Sequence, residues 1–245
     1  MIPAFFSGPK GFGLGIVTWK PGQGRQVTPH PGIFGTTMFA HWPAIAIDKA
    51  GTIYLVWDLD KRKAGSSGGC NGAQTPAPNA IKLIYTKDQG KTWSAPMTIA
   101  SPNTSRVFWP WIAAGDAGRV SVVWYQTGPG QLADNDCQPA DIYVFESTIL
   151  NATSTSPTKL SVNAIGRPVH SGLVCQGGTT CVATGQDRRL GDYFTNAIDA
   201  KGCVFIATGD TKITDPTTGA PYPTARPLFV RQNRGPSLYT SGSCG

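Results

Sequence analysis

Glutamate is almost missing from this sequence: Glu146 is the only one, and the other 13 of the 14 acidic residues are Asp. Helices favour Glu over Asp, so a chain this poor in Glu reads as strands and loops. Charge of either sign is sparse, at 14% of residues, although 21 basic residues leave a formal net charge of +7. Those basic residues are scattered, and the densest run is Lys61-Arg62-Lys63. A run that short reads as a solvated loop, and a nucleic-acid partner is set aside. An anionic polysaccharide or a negatively charged cell surface fits the mild excess. No apolar run approaches the ~20 residues of a membrane span. The opening MIPAFF has neither a basic start nor a long apolar core, so it does not read as a signal peptide. CxxC pairs, a Gly-rich phosphate loop, a Ser nucleophile elbow and an HExxH motif are all missing.

What is present points to many short strands. The 245 residues include 30 Gly and 20 Pro, and 40% are hydrophobic. That composition, with Thr, Val, Ile and aromatics between the turn formers, suits an all-β chain organised as one unit. Six cysteines, Cys70, Cys137, Cys175, Cys181, Cys203 and Cys244, lie in or beside Gly-rich loops or at the chain end. An even count without metal spacing favours disulfides and an oxidising compartment. Asn103-Thr104-Ser105 and Asn151-Ala152-Thr153 are glycosylation sequons. The chain therefore reads as secreted or surface-exposed, with any targeting segment removed or elsewhere.

Internal repeats set the architecture. HWPAIAIDKAGTIYLVWD (residues 41–58) and FWPWIAAGDAGRVSVVWY (108–125) share an aromatic-Pro pair, an Ala, a turn ending in Gly, and alternating apolar residues with a Trp. DYFTNAIDAKGCVFIATGD (192–210) is a third copy. The turn glycines Gly51, Gly118 and Gly202 give spacings of 67 (51 to 118) and 84 (118 to 202) residues. Each copy predicts a hairpin around a D-x-x-G-type turn. IKLIYT and APMTIA extend the first copy, DIYVFEST (141–148) and TKLSV (158–162) the second, and RPLFVRQ (226–232) the third. Four antiparallel strands at this period indicate the blades of a β-propeller. The expected division is the end of a preceding blade over 1–40, with GLGIVTWKPGQGRQVT (13–28), then blades over 41–105, 106–165 and 166–245.

The stretch TKDQGKTW (86–93) between two apolar runs carries more than a turn requires. Gly and Asp suit a turn, but a Trp does not. With Asp88, Gly90, Thr92 and Trp93 it resembles an Asp-box of the S/T-x-D-x-G-x-T-W type, the signature of BNR repeats in sialidase-like β-propellers. The resemblance covers roughly residues 41–245. It implies that the box joins the third and fourth strands of a blade, with its Asp and Thr fastening the turn and its Trp packed on the blade. It also implies a propeller of six blades, which at this spacing needs more than about 400 residues. Three blades and a fragment then call for further blades from a longer precursor, a second chain or a symmetry mate. The box specifies a fold and not a reaction.

Propeller geometry brings the starts of first strands and the ends of second strands to one face. That face would carry His41-Trp42, Phe108-Trp109 and Asp192-Tyr193, with Asp58, Asp60, Tyr125 and Asp210. A sialidase-type glycosidase clamps a carboxylate with arginines and needs an acid or base and a nucleophile, commonly Tyr. Arg188, Arg189, Asp192 and Tyr193 supply those residue types as catalytic candidates, although the family's Arg-Ile-Pro motif is absent. The other reading of DRRLGDY is that Arg–Asp pairs hold the connection and Tyr193 packs between blades. His41, Trp42, Trp109 and Asp58 are candidates for substrate binding; Trp42 and Trp109 suit sugar stacking or packing between blades. No cofactor is expected beyond weak oxygen-ligand sets for Ca²⁺ at Asp134-Asn135-Asp136 and Asp58-x-Asp60. His170 with Cys175 and Cys181 lacks zinc-knuckle spacing, and a small disulfide loop is preferred.

The expected bridges are Cys70–Cys137 between equivalent loops, Cys175–Cys181 around a short loop, and Cys203–Cys244. Six cysteines allow 15 connectivities. Two functions follow: a secreted sialidase-like propeller that binds or hydrolyses an extracellular glycan, or a non-catalytic extracellular scaffold built from such blades.

Overall fold

The structure is a computed structural model, and it describes residues 2–8, 11–18, 22–24, 26–34, 43–59, 79–131, 138–175, 180–183, 185–190 and 194–245. Four antiparallel sheets follow one another along the chain. The first joins β1 (Ile2–Gly8), β2 (Gly11–Thr18) and β3 (Gln26–Phe34) in that order. The second joins β4 (Ala44–Ile47), β5 (Ile53–Leu59), β6 (Ala80–Thr86) and β7 (Met97–Ala100). The third joins β8 (Val107–Ala114), β9 (Val120–Thr127), β10 (Ala140–Leu150) and β11 (Thr158–Asn163), with β12 (His170–Gly172) paired to β10. A helical turn α1 (Thr180–Ala183) precedes the last sheet, β13 (Thr195–Ile198), β14 (Val204–Asp210) and β15 (Arg226–Arg231). Among the described residues no helix is long and apolar enough to cross a membrane.

The first strands stand side by side, β4 next to β8 and β8 next to β13. Consecutive meander sheets with their first strands gathered together form part of a β-propeller, and the fold is all-β. The sheets from β4 onward are called blades one, two and three below.

Burial patterns explain the strand sequences. In β5 and β9 nearly every residue is buried. A central strand between two neighbouring blades is covered on both faces, so it reads as a continuous apolar run. Tyr54, Val56, Ile81 and Leu83 of blade one meet Val107, Ile112, Val122 and Trp124 of blade two. Val123, Tyr125, Ile142 and Val144 then face Phe194, Val204 and Ile206 of blade three. Strand β14 instead alternates buried and half-buried residues, because the far face of blade three meets no described neighbour. Phe229 on that face is 73% exposed. Blade three has three strands in its sheet; the chain after β15 does not add a fourth but turns back onto the β13–β14 hairpin, where Leu238 N–H donates to Gly202 O at 2.8 Å.

The three hairpins share a turn in which Gly51, Gly118 and Gly202 have φ of 83°, 71° and 76°, a region open to Gly at little cost. In the first, Asp48 Oδ1 accepts from the amides of Ala50 and Thr52 at 3.0 and 2.9 Å. In the third, Asp199 Oδ1 accepts from Lys201 and Cys203 at 2.8 and 2.9 Å. The second has Gly115 at the equivalent position. A Cβ there would stand 2.2 Å from the carbonyl oxygen of Leu238, so the returning C-terminal segment excludes any side chain. The displaced Asp116 bonds Lys49 at 2.8 Å and Thr240 at 2.8 Å.

Two disulfides lie among the described residues, Cys175–Cys181 and Cys203–Cys244. Cys70 and Cys137 lie outside them.

The turn at 86–93 is held by its own side chains. Asp88 Oδ1 accepts from the Thr92 amide at 2.9 Å and its Oδ2 from the Thr92 hydroxyl at 2.5 Å. Gly90, with φ of 91°, donates its amide to Thr86 Oγ1 at 2.9 Å. Trp93 Nε1 donates to Gly90 O at 3.1 Å, and its ring lies with Ile53, Leu55, Trp57 and Ile84 of its own blade. The Thr92 hydroxyl and amide, with Thr86, hold the Asp88 carboxyl down at about 2.

Candidate functional site

One end of the blades gathers the sequence candidates that lie among the described residues. At the start of β8, Phe108 lies opposite Tyr125 near the end of β9. Tyr125 stacks on Phe194 at 4.3 Å between centroids and its hydroxyl meets Thr208 Oγ1 at 2.7 Å. Trp109 sits at an irregularity of the ladder with φ of 51°, an uncommon setting for a bulky residue. Its ring packs edge-on against Phe108 and Tyr125 within the core between blades two and three. It is 9% exposed, so packing accounts for its position and little of it is left to stack on a sugar. Asp58 is 1% exposed near the end of β5.

The connection into blade three crowns the same end. Arg189 makes a fork on Asp187, with Nε to Oδ1 at 3.1 Å and Nη2 to Oδ2 at 2.7 Å. Burial opposes ionisation of Asp187, but the Arg189 hydrogen bonds outweigh it and keep the carboxyl below its ordinary value. The bond to Asp187 raises Arg189 in turn. Arg188 Nη1 donates to Cys175 O at 3.2 Å, tying the connection to the small disulfide loop. Asp210, fully buried at the end of β14, pairs with Arg167 at 2.5 Å. The ring nitrogens of His170 meet Thr211 Oγ1 at 2.9 Å and Leu173 O at 3.0 Å, and burial lowers its pKa.

Beside this connection is a cleft of about 450 Å³ lined by Arg189, Leu190, Thr208, Gly209, Arg226 and Pro227. Arg226 lies over the Tyr222 ring at 3.7 Å. Two guanidiniums, hydroxyl and backbone groups and short apolar walls can hold an anionic, hydroxyl-rich ligand; they include no carboxylate pair for acid–base work. His41, Trp42, Asp60, Asp134, Asn135, Asp136, Asp192 and Tyr193 lie outside the described residues. Among the described residues no three His, Cys, Asp or Glu stand together as metal ligands.

The sequence reading assigned Glu146 no role, and the structure gives it a developed setting. Glu146 is 8% exposed. Its Oε1 accepts from Ser121 Oγ at 2.7 Å and Thr148 Oγ1 at 2.9 Å. Asn196 of blade three donates Nδ2 to Ser121 O and Oγ at 3.0 and 3.1 Å, so the group bridges two blades. The signal was phase: Ile142, Val144 and Glu146 share one face of β10, so a residue two beyond two buried aliphatics is itself buried.

Burial pushes the Glu146 carboxyl up to about 7 from 4.5, against the Ser121 and Thr148 hydroxyls that pull it down. The folded protein therefore holds a proton that the unfolded chain has released between about pH 4.5 and 7. Stability is expected to fall as pH rises through that window and then to level off. Urea titrations at a series of pH values check this, and Glu146→Gln should flatten the fall.

No protein-family model matches the chain, and no curated protein does. Among solved structures it is similar to a Hadza microbial sialidase at 13% identity and TM-score 0.46, over 82% of this chain and 36% of that one. It is also similar to an endo-arabinase from Bacteroides thetaiotaomicron at 12% identity and TM-score 0.37, over 94% of this chain and 73% of that one. A third is a GH43 endo-arabinanase from Bacillus licheniformis at 10% identity and TM-score 0.29, over 95% and 93%. The chain thus spans 36% of the length of the sialidase. None of the three reaches a TM-score of 0.5.

Proposed function

We propose that the chain is part of an extracellular, sialidase-like β-propeller that binds an anionic glycan at the end of the blades crowned by residues 187–190. The observation that carries this reading is the cleft in which Arg189, oriented by its fork on Asp187, shares a wall with Arg226, Thr208 and Gly209. An arginine fixed in plane is suited to a sugar carboxylate or sulfate, and two on one wall favour a charged ligand over a neutral one. The two disulfides support an oxidising compartment. Hydrolysis would also need Asp192 and Tyr193, or groups from blades beyond this chain.

Glycan-array binding and turnover of fluorogenic sialosides test the reading, with Arg188→Ala and Arg189→Ala beside the wild type and thermal melts confirming their folding. Binding of acidic but not neutral glycans, reduced about tenfold or more by Arg189→Ala, is expected for a charge-assisted contact of some 1.5–3 kcal/mol. Undiminished binding by both variants overturns the site.

A second reading, a non-catalytic scaffold, is favoured by the face of blade three that meets no described neighbour and carries the exposed Phe229. It predicts no glycan binding or turnover in any assay, and association through that face with further blades.

A further inference from the structure

A second cleft, sharing no lining residue with the first, opens between blades two and three. Its volume is about 390 Å³, within the range that encloses a small organic molecule. Leu160, Val162, Val204, Ile206 and Val230 form apolar walls, and Glu146 and Thr148 lie at its floor. Leu160 and Val162 are 44% and 54% exposed, an apolar surface left bare beside a buried acid.

The floor chemistry selects one kind of ligand. The Ser121 and Thr148 hydroxyls are both spent as donors to Glu146 Oε1. Oε2 takes part in neither of these bonds, so the carboxyl keeps acceptor capacity at the floor while both hydroxyl donors are spent. At this floor an anion meets a carboxyl group and no free hydroxyl, whereas a donor meets an acceptor in surroundings of low dielectric, where pairing is strong. We propose that this cleft binds a small organic cation, a primary amine on an apolar group, with the ammonium on Glu146 and the apolar part against Val162, Ile206 and Val230.

The other charged groups lining the cleft are Arg231 and Arg234. Arg231 is engaged with Asp199 at 3.2 Å; both arginines are exposed at the mouth, where water and salt screen their repulsion. Strands β10, β11 and β14 add no charge to the lining besides Glu146. Because the carboxyl titrates near neutrality, bound ammonium favours its ionised form, and uptake at acid pH releases a proton.

Phenethylamine and its neutral analogue phenethyl alcohol provide the test, titrated into the protein by calorimetry at about pH 5.5 and 8.5. The amine is expected to bind at least about tenfold more tightly than the alcohol at the higher pH, with the gap closing at the lower, a tenfold change corresponding to one pKa unit of coupling. Glu146→Gln keeps an acceptor for Ser121 and Thr148 and should remove the amine's advantage at both pH values. Val162→Trp, at a half-exposed wall position, should fill the cleft and abolish binding of both compounds. Equal affinities at pH 8.5, no binding of the amine to the wild type, or full binding by Val162→Trp would each overturn the proposal, whatever the outcome of the glycan assays.

Discussion

Replacing both Cys203 and Cys244 by Ser is expected to lower the free energy of unfolding by about 4 kcal/mol, the larger loss of the two bridges among the described residues. The two residues are 41 apart in sequence, and closing a loop of that length removes much of the freedom of the unfolded chain. The bridge also clasps the returning segment. Ser237 Oγ donates to Lys201 O at 2.5 Å, and the Arg119 guanidinium reaches Ser237 O at 2.6 Å. The Cys175–Cys181 loop spans only 6, and the same arithmetic gives about 2 kcal/mol for its removal. Urea unfolding of the two double variants, compared with wild type, checks the order. Equal losses would show that native contacts, not loop length, set the effect.

Asp48→Ala is expected to cost about 3 kcal/mol, and Asp48→Asn nearly as much. Asp48 is 4% exposed and accepts four hydrogen bonds. Two come from its own turn, a third from the Tyr54 hydroxyl at 2.8 Å, and a fourth from the Gly118 amide of blade two at 2.9 Å. An amide placed there turns an N–H toward a donor, so isosteric Asn cannot replace it. Burial, reinforced by the Asp48 carboxylate, holds the Tyr54 hydroxyl protonated far above its ordinary range. Tyr54→Phe removes only one of the four donors and should cost about 1 kcal/mol. If Asn restored wild-type stability, the carboxylate would not be the organising group.

Much of the fold is legible in the sequence because hairpin turns and strand periodicity are local. Gly51, Gly118 and Gly202 mark their turns by conformational need, and Asp48 and Asp199 cap them through their own backbones. What lies between blades is less legible, since it depends on partners well beyond the local pattern, 28 residues away for Asn79 and Val107 and 70 for Asp48 and Gly118. Nothing near Asp48 announces its bond to Gly118, and nothing near Gly115 announces the Leu238 carbonyl above it. The repeat pattern likewise suggested four strands in every blade, whereas the chain beyond β15 is drawn back by the Cys203–Cys244 bridge. For the candidate site, Arg188 and Arg189 stood out as a charged pair, but whether they point to Asp187, a disulfide loop or a ligand is a tertiary matter. The chemistry at Glu146 was readable from its phase within β10, once that strand was taken as buried on one face.

Asn79 is buried between blades one and two, where its side chain reproduces the edge of a strand. Its Oδ1 accepts from the Val107 amide at 2.8 Å while its Nδ2 donates to the Val107 carbonyl. Greasy surfaces alone are tolerant of sliding, because dispersion and water exclusion scarcely change when one sheet shifts by a fraction of a residue. A paired amide tolerates no such shift. With Asp48 on Gly118 and Asn196 on Ser121, each blade is keyed to the next at a fixed height, as a pin indexes two plates. Small shearing motions therefore cannot accumulate along these three blades, and the ends of their strands, where loops gather, keep a common level.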